Sequence, residues 1–519
     1  MPDSQQTGYQ ANQDKGITQT RQTVNALKKD VNRQLFPYPD DEGRLGNYNF
    51  YENLFWGNHF DAFNVKISSE NYGKYYARLK FIVANFPGLI TKVVSDLLFV
   101  EPPKIKMPTP EGQEWVNSLI EENKLRLQWY ESSLDNSYFG DALFKLRVGP
   151  RYDNTDSTVL IEQQTPKVYF PLMDPFNAKG EPKEMELAWV IAIGEKTYLR
   201  KEIHKRGEII NRVFLLEGQE IKEEENLSLL GDSAPKEYEP VKGKRPLVIH
   251  IPNWRAGNRW NGISDYYDLE TLFYAIDNRM TKIDNILDKH SDPILAVPDG
   301  IIDEKGQVKR SKLNLFVRGD GENKEFDPSY ITWEANLESA IKEIDKLVEM
   351  TFMMSETSPD ILGMGQGQAE SGRALKLKLL RTLAKVQRKQ IYYYQGIRDM
   401  IYTAQVLAYE YGVTVGEKKV KFKGTPEYPE IVWRDGLPAD MREQAEVEQI
   451  RIDSGTTTKK DAVMRLDDIE DDAAEKKVKE IREEDALDMP VTDVSGDTGK
   501  FMPNGQKKPL QKKAGDLNG

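Results

Sequence analysis

The sequence predicts an α+β protein, and three observations predict it. Residues 145–251 read as short β runs (VLIEQQ, KVYFPL, LAWVIAIGEKTYLRKEIHKRGEIINRVFLLEG and LVIHIPN), and their alternation with a tight charged turn at 205–207 is that of antiparallel hairpins. Downstream, Leu269, Phe273, Ile276, Met280, Ile283 and Leu287 recur at spacings of four and three, the stripe of one long helix. A second stripe (Leu337, Ile341, Ile344, Val348 and Phe352) and a cationic helix of roughly 40 residues over 371–411 make up a helical half.

Bulk composition removes several function classes. At 519 residues, with 39% hydrophobic and 30% charged residues, the chain reads as a soluble globular protein of roughly two to four domains. The absence of cysteine excludes disulfides, zinc ribbons, iron–sulfur clusters and thiol catalysis, and fits assembly in a reducing cytoplasm. His59, His204, His250 and His290 are scattered without the i, i+4 spacing of a helical zinc site, so we expect structural or surface roles for all four. A conventional histidine mechanism is not expected. MPDSQQTGYQANQDKGITQT lacks the apolar core of a signal peptide, and no apolar run reaches the ~18 residues of a membrane span. A net charge of −12 argues against a protein that simply coats nucleic acid.

Taken in order, residues 1–20 are polar and expected to be mobile, and a first helix is expected near 23–35. Residues 85–98 form an apolar helix that Pro102 and Pro103 must terminate. Another helix is expected across 111–140, turning into a strand at Gly140 and Asp141. After the first striped helix, SDPILAVPDGIIDEKGQVKRSKLNLFVRGDGENKEF reads as a compact β and turn insertion. The second striped helix starts near Asn336, and ETSPDILGMGQGQAESGR separates it from the cationic helix.

Charge is unevenly distributed. Residues 371–411 carry eight bases (Arg373, Lys376, Lys378, Arg381, Lys385, Arg388, Lys389 and Arg398) against Asp399 and Glu410, a net of +6. Arg381, Lys385 and Arg388 fall on one face at i, i+4, i+7. Residues 435–489 carry eighteen acids and nine bases, a net of −9, and read as short helices. Thr457 or Thr458 is placed to cap a helix starting at Lys459. Residues 490–519 have little with which to bury a core and are expected to be disordered.

Each candidate site has a bland reading beside the functional one. GMGQGQAESG looks like a phosphate loop but lacks the Gly-Lys-Ser/Thr that nucleotide binding needs, and a helix rather than a strand precedes it. Between Asp360 and Glu370 stand glycines, glutamines and a methionine, which suit sliding contact better than chemistry. Asp467-Asp468 and Asp471-Asp472 could serve a magnesium-dependent nuclease, but interleaved bases favour a solvated helical face. Lys305, Lys309, Arg310 and Lys312 are most simply a solvated turn. The cationic helix can pair with its own neighbouring acids, balance acids of an adjacent subunit, or touch a phosphate backbone without reading bases. Sequence alone does not choose among these three.

The order of these elements resembles the portal proteins of tailed bacteriophages, of the type in long-tailed phages of Gram-positive hosts. The resemblance rests on two striped helices around a β insertion, then a glycine-containing loop and ESGRALKLKLLRTLAKVQRKQ. There Ser371-Gly372-Arg373-Ala374-Leu375-Lys376 looks like the family's S-G-x-A-L-K signature opening a long kinked helix. NFPGLITKVVSDLLFVEPPKI and LPADMREQAEVEQIRIDSGTTTKKDAV are weaker matches, and together these segments cover roughly residues 50–488.

The resemblance implies a portal-type α+β subunit with a division of labour along the chain. The wing would take residues 21–262 and 371–434, the latter with the long kinked helix. Stem helices would lie at 263–290 and 335–355, a small β-containing clip at 291–334, a tunnel loop at 356–370 and a helical crown at 435–489. Twelve subunits would form a ring at the capsid vertex, assembled in the host cytoplasm and retained in the virion. Its implied partners are double-stranded DNA held non-specifically in the channel, the terminase large subunit, head–tail adaptor proteins, and the major capsid and scaffolding proteins. No cofactor, metal, catalytic residue or membrane is implied.

Gly363, Met364, Gly365, Gln366, Gly367 and Gln368 would be the DNA-facing loop, the glycines giving hinge freedom and the glutamines touching DNA without trapping it. Lys342, Lys346, Arg373 and Lys376 would be positives near the channel, and Lys305, Lys309, Arg310 and Lys312 clip contacts to terminase or adaptor. Two other classes stand beside this one: a nucleotide- or metal-dependent nucleic-acid enzyme, and a coiled-coil scaffold without DNA contact.

Overall fold

Of the first three helices, the third begins at a side-chain cap. α1 (Glu42–Phe55) is followed by the short α2 (His59–Ala62) and by α3 (Phe86–Phe99). Asn85 caps α3 by accepting from the Gly88 amide at 2.9 Å, with Pro87 in the first turn. Ten of the fourteen α3 residues are buried, so the apolar run expected at 85–98 is a core helix. The computed structural model describes residues 34–65, 80–151, 156–231, 234–290, 294–298, 315–318, 329–331, 337–362, 372–433, 441–467, 469 and 471–487. The chain divides into compact units at 437/438. The helix expected near 23–35 lies almost wholly outside the described residues, as do residues 1–20 and 490–519.

After β1 (Lys104–Lys106), Thr109 caps α4 (Pro110–Glu122) through the Gly112 amide. The single helix expected over 111–140 is two: α5 (Leu125–Phe139) starts after Lys124, which is left-handed at φ +50°. Buried Asn123 explains the break. Its amide donates to the Val159 carbonyl at 3.1 Å and accepts from the Ile161 amide at 3.0 Å, tying the corner to a strand.

Gly140, at φ +88°, ends α5 as a left-handed cap, and β2 (Asp141–Pro150) follows at once, as expected. β2 pairs antiparallel with β3 (Ser157–Gln164). The next strands are β4 (Tyr169–Leu172), β5 (Glu184–Ile193), β6 (Lys196–Lys205), β7 (Glu208–Glu217), β8 (Glu220–Glu225) and β9 (Tyr238–Pro240). They form an antiparallel sheet in the order β4-β5-β6-β7-β8, with β9 also on β7. Lys205 pairs with Glu208 across the turn read at 205–207, where Gly207 supplies φ +88°. β10 (Val248–Pro252) adds to the other edge of β2.

Residues 263–269, expected as the start of a long helix, are instead a tight turn. The Asp265 amide donates to the Ser137 carbonyl at 2.8 Å, the Gly262 amide donates to the Asp141 carboxylate at 2.7 Å, and Asp268 is left-handed at φ +66°. These bonds hold the turn against the end of α5, so α6 begins only at Glu270 and runs to His290.

In the insertion, β11 (Ile294–Pro298) lies between β12 (Leu315–Arg318), parallel to it, and β13 (Ser329–Ile331), antiparallel to it. α7 (Leu337–Met354) then packs against α6, bridged by Arg279 and Glu343 at 2.9 Å. Leu269, Phe273 and Ile276 are buried, Met280 and Ile283 are half-buried, and Leu287 is 51% exposed. On α7 the stripe runs the same way, from buried Phe352 through half-buried Val348 and Ile344 to Ile341 at 52%. Burial along each stripe falls away from the body, although Leu337 at the outer end of α7 is half-buried.

The cationic helix is broken once, at Leu379, into α8 (Gly372–Lys378) and α9 (Leu380–Tyr411). α9 packs on α3, α5 and the β10-β2-β3 sheet, burying Val386, Tyr393, Ile397, Met400, Ile401 and Ala404 in one core with Trp115, Trp129 and Phe144. Val386, Ile397, Met400 and Ile401 each contribute about 1.5–3 kcal/mol of burial. Gly396 allows the approach, since a Cβ there would lie 2.4 Å from the Ile251 Cδ1 atom. β14 (Thr414–Val415) and β15 (Val420–Lys421) form a hairpin, and β16 (Glu430–Val432) closes on β1.

The C-terminal unit has α10 (Met441–Asp453), α11 (Lys459–Asp467) and α12 (Asp471–Leu487). Thr458 caps α11, accepting from the Asp461 amide at 3.1 Å while its hydroxyl donates to the Asp461 carboxylate. Glu448 of α10 receives Arg465 of α11 in a bidentate pair at 2.8 and 2.7 Å.

Candidate functional site

The site is the place where both ends of the 363–371 segment are fastened. On one side, α7 ends in a Schellman motif: the Thr357 amide donates to the Phe352 carbonyl and the Glu356 amide to the Met353 carbonyl. Glycine is the usual residue at such a left-handed position, but here it is Glu356, at φ +57°. Its carboxylate explains the choice, for it receives Arg381 at 2.6 Å and Arg388 at 2.5 Å, both from α9. A strained backbone persists where surrounding contacts over-determine it.

Lys385 lies between those two arginines in sequence but points inward. Its ammonium donates to the Ser355 carbonyl at 3.0 Å, at the negative end of the α7 dipole, and stands 3.4 Å from Asp265. Lys389, one turn on, approaches Asp265 at 2.9 Å and donates to the side-chain oxygens of Asn253 at 2.6 Å and Asn136 at 3.3 Å. Ser137 donates to the same carboxylate at 2.7 Å.

All members of this cluster are buried. Burial alone would raise the Asp265 carboxyl, but the charges of Lys385 and Lys389, with hydrogen bonds from Lys389 and Asn253, hold it well below the usual range. Burial pulls the Lys389 ammonium down to about 8 against the opposing attraction of Asp265. Nearer the segment, Lys378 pairs with Asp360 at 3.0 Å, and the Ser358 amide donates to the Thr382 hydroxyl at 2.8 Å. A hydrogen bond from Lys378 holds the Asp360 carboxyl below its ordinary value.

The structure therefore decides among the readings of the cationic helix at these positions. Arg381, Lys385, Arg388 and Lys389 are engaged by acids and carbonyls of their own chain. Residues 356–362, expected as part of a loop, form the capped turn and a 3-10 turn at Pro359–Leu362.

Gly363, Met364, Gly365, Gln366, Gly367 and Gln368 lie outside the described residues, as do Lys305, Lys309, Arg310 and Lys312. Lys342 pairs with Glu338 at 2.6 Å and Lys346 with Glu349 at 2.7 Å, on their own helix and in solvent. Arg373 and Lys376 fall on α8. The side chain of Arg373 is outside the described residues, and that of Lys376 is exposed.

Three of the four histidines hold structure: His59 pairs with Asp277 at 2.5 Å, His204 with Glu202 at 2.7 Å and His250 with Asp141 at 2.6 Å. The side chain of His290 lies outside the described residues. Asp471 is taken by Lys460 and Asp467 by Lys477. Among the described residues no group of three or more His, Asp or Glu is placed to hold a metal ion. No described helix is long and apolar enough to cross a membrane.

Sequence reasoning missed Asp265, Glu356, Asn136 and Asn253. The available signal was the i, i+4 pair Lys385/Lys389 on the apolar face of α9, since two buried lysines require an anion opposite them.

Two striped helices around a β insertion, joined by a short segment to a long helix across the core, define an α+β scaffold built around that junction. The family model described as phage portal protein, SPP1 Gp6-like, matches residues 232–490, about half of the chain and the whole of α6 to α12, and the chain belongs to this family of tailed-phage portal proteins. No curated protein matches the chain.

Proposed function

We propose that the chain is one subunit of a ring-shaped DNA channel at a single capsid vertex. Viral DNA is packaged through it by the terminase and later ejected, and head–tail adaptors attach to it. The reading assigns no ATP hydrolysis to this chain. In it, α6 and α7 are the stem, 291–334 the clip, α8 and α9 part of the wing and 435–489 the crown, with twelve subunits to the ring.

One observation carries the reading beyond family membership. The segment from Gly363 to Gln368 leaves a junction whose two sides are bound to each other by Glu356 with Arg381, Asp360 with Lys378, and Lys385 with the Ser355 carbonyl. A loop that meets moving DNA needs fixed roots, and uncharged residues that do not neutralise phosphate let the duplex pass. At Lys385 and Lys389 the positive charge of the long helix is taken up inside the subunit.

Negative-stain microscopy of the purified chain should show rings with a central hole. Replacing 363–368 by a lysine-rich sequence should leave rings intact and reduce DNA packaging. Unchanged packaging would sink the role given to the segment, and a small oligomer with nuclease or ATPase activity would overturn the channel reading.

A further inference from the structure

We propose that the outward stripe of α9 is a docking surface for a second copy of this chain, and that its occupant is the partly exposed outer half of that copy's α7. The inference rests on the ring reading above and assigns a contact within it.

The stripe consists of Leu380, Ala384, Gln387 and Ile391, at spacings of four, three and four, and therefore on one face. Leu380 is 63% and Ile391 69% exposed. No charge interrupts these four positions, although residues 371–411 carry a net of +6. The opposite face, with Val386, Lys389 and Tyr393, is buried in the subunit core. Leu377, exposed on α8, extends the surface past the break at Leu379.

The second surface is the outer part of the α7 stripe, where Ile341 is 52% exposed and Leu337, Ile344 and Val348 are half-buried. Both stripes span eleven residue steps, about 17 Å at 1.5 Å per residue, so one can lie along the other. Their flanks are complementary. Arg381 is largely exposed and shares the single carboxylate of Glu356 with Arg388, leaving one positive charge in excess beside the α9 stripe. α7 carries four acids against two lysines, and its exposed Asp345 makes no ion pair among the described residues. An apolar strip edged with positive charge thus faces one edged with negative charge, the composition of a specific contact between copies.

The test compares assembly of the unaltered chain with Leu380→Glu and Ile391→Glu by analytical ultracentrifugation and microscopy. Both substitutions are at exposed positions, so the monomer should keep its thermal midpoint. Ring formation should need about tenfold or more higher concentration, or be lost. Variants that assemble like the unaltered chain overturn this inference and leave the ring reading standing. An unaltered chain that stays monomeric at every concentration overturns both.

A second measurement does not depend on those variants folding. The chain has no cysteine, so engineered thiols are unique. Chains carrying Ile341→Cys and chains carrying Ile391→Cys, mixed and treated with a short bismaleimide, should give a covalent dimer containing one of each. Absence of that mixed dimer from assembled rings overturns the proposal.

Discussion

Lys385 donates to the main-chain carbonyl of Ser355 at 3.0 Å, joining the middle of the cationic helix to the last turn of α7. The same ammonium is 3.4 Å from Asp265, so one buried cation serves a helix terminus and a carboxylate at once. Removing it should leave Asp265 short of charge in a dry site. Lys385→Met should cost about 3 kcal/mol or more in urea unfolding of the body. Lys342→Met, which breaks an exposed pair with Glu338, should cost less than about 0.5 kcal/mol. Equal effects would mean that the cationic helix is not held by its buried charges.

Acid should act on the same cluster. The folded carboxyl of Asp265 lies below the unfolded value of about 3.9, so it contributes stability above that pH and loses it as pH falls through and below about 4. Asp265→Asn should be less stable at pH 7 and show a shallower acid limb in its stability profile. An unchanged limb would remove Asp265 from the account. Lys389 acts on the alkaline side. Its folded value of about 8 lies below the unfolded ~10.4, so its unfavourable contribution fades as pH rises through that interval.

Glu356 combines a left-handed backbone with a carboxylate shared by two arginines. Glu356→Ala keeps the strain and loses the pairs, whereas Glu356→Gly loses the pairs but relieves about 1 kcal/mol of strain. The glycine variant should therefore be the more stable of the two by about that amount in chemical denaturation. The reverse order would show that the turn is not strained.

Two glycines separate a rigid obstacle from a yielding one. A Cβ at Gly262 would stand 1.9 Å from the Gly140 carbonyl oxygen, in backbone that is fixed on both sides. At Gly396 it would meet only the end of the Ile251 side chain, which can rotate. Gly396→Ala should cost about 1–3 kcal/mol, and Gly262→Ala more, to the point of abolishing soluble expression. Comparable yields and midpoints for the two would contradict the backbone approach at 262.

What the sequence reveals and what it hides divide along physical lines. α3, the hairpin turn at 205–207 and the Thr458 cap are legible because apolar runs, turn residues and caps act over a few positions. The breaks at Lys124 and 263–269 are hidden because the bonds that make them, from Asn123 to Val159 and from Asp265 to Ser137, join residues far apart in sequence. At the site, the charge excess of 371–411 is plain, but its disposal is not. Arg381, Lys385 and Arg388 were legible as one face, yet Lys385 is buried while Arg381 is exposed, because Asp265 and Glu356 receive them from different sides. Glu356 gives no cue at all, since the residue that usually marks a left-handed helix end is glycine.

The core that holds Trp129, Phe144 and Ile161 is completed by Tyr393 and Ile397 of α9. Those partners emerge from the ribosome only after roughly 230 further residues, about 10–50 s at ordinary elongation rates. Throughout that interval the earlier strands and helices wait with an apolar face uncovered. The nascent body therefore needs shelter from neighbours and chaperone clients' usual fates until translation passes α9, and a chain released early, at the end of α7, would be a target for degradation rather than a smaller working part.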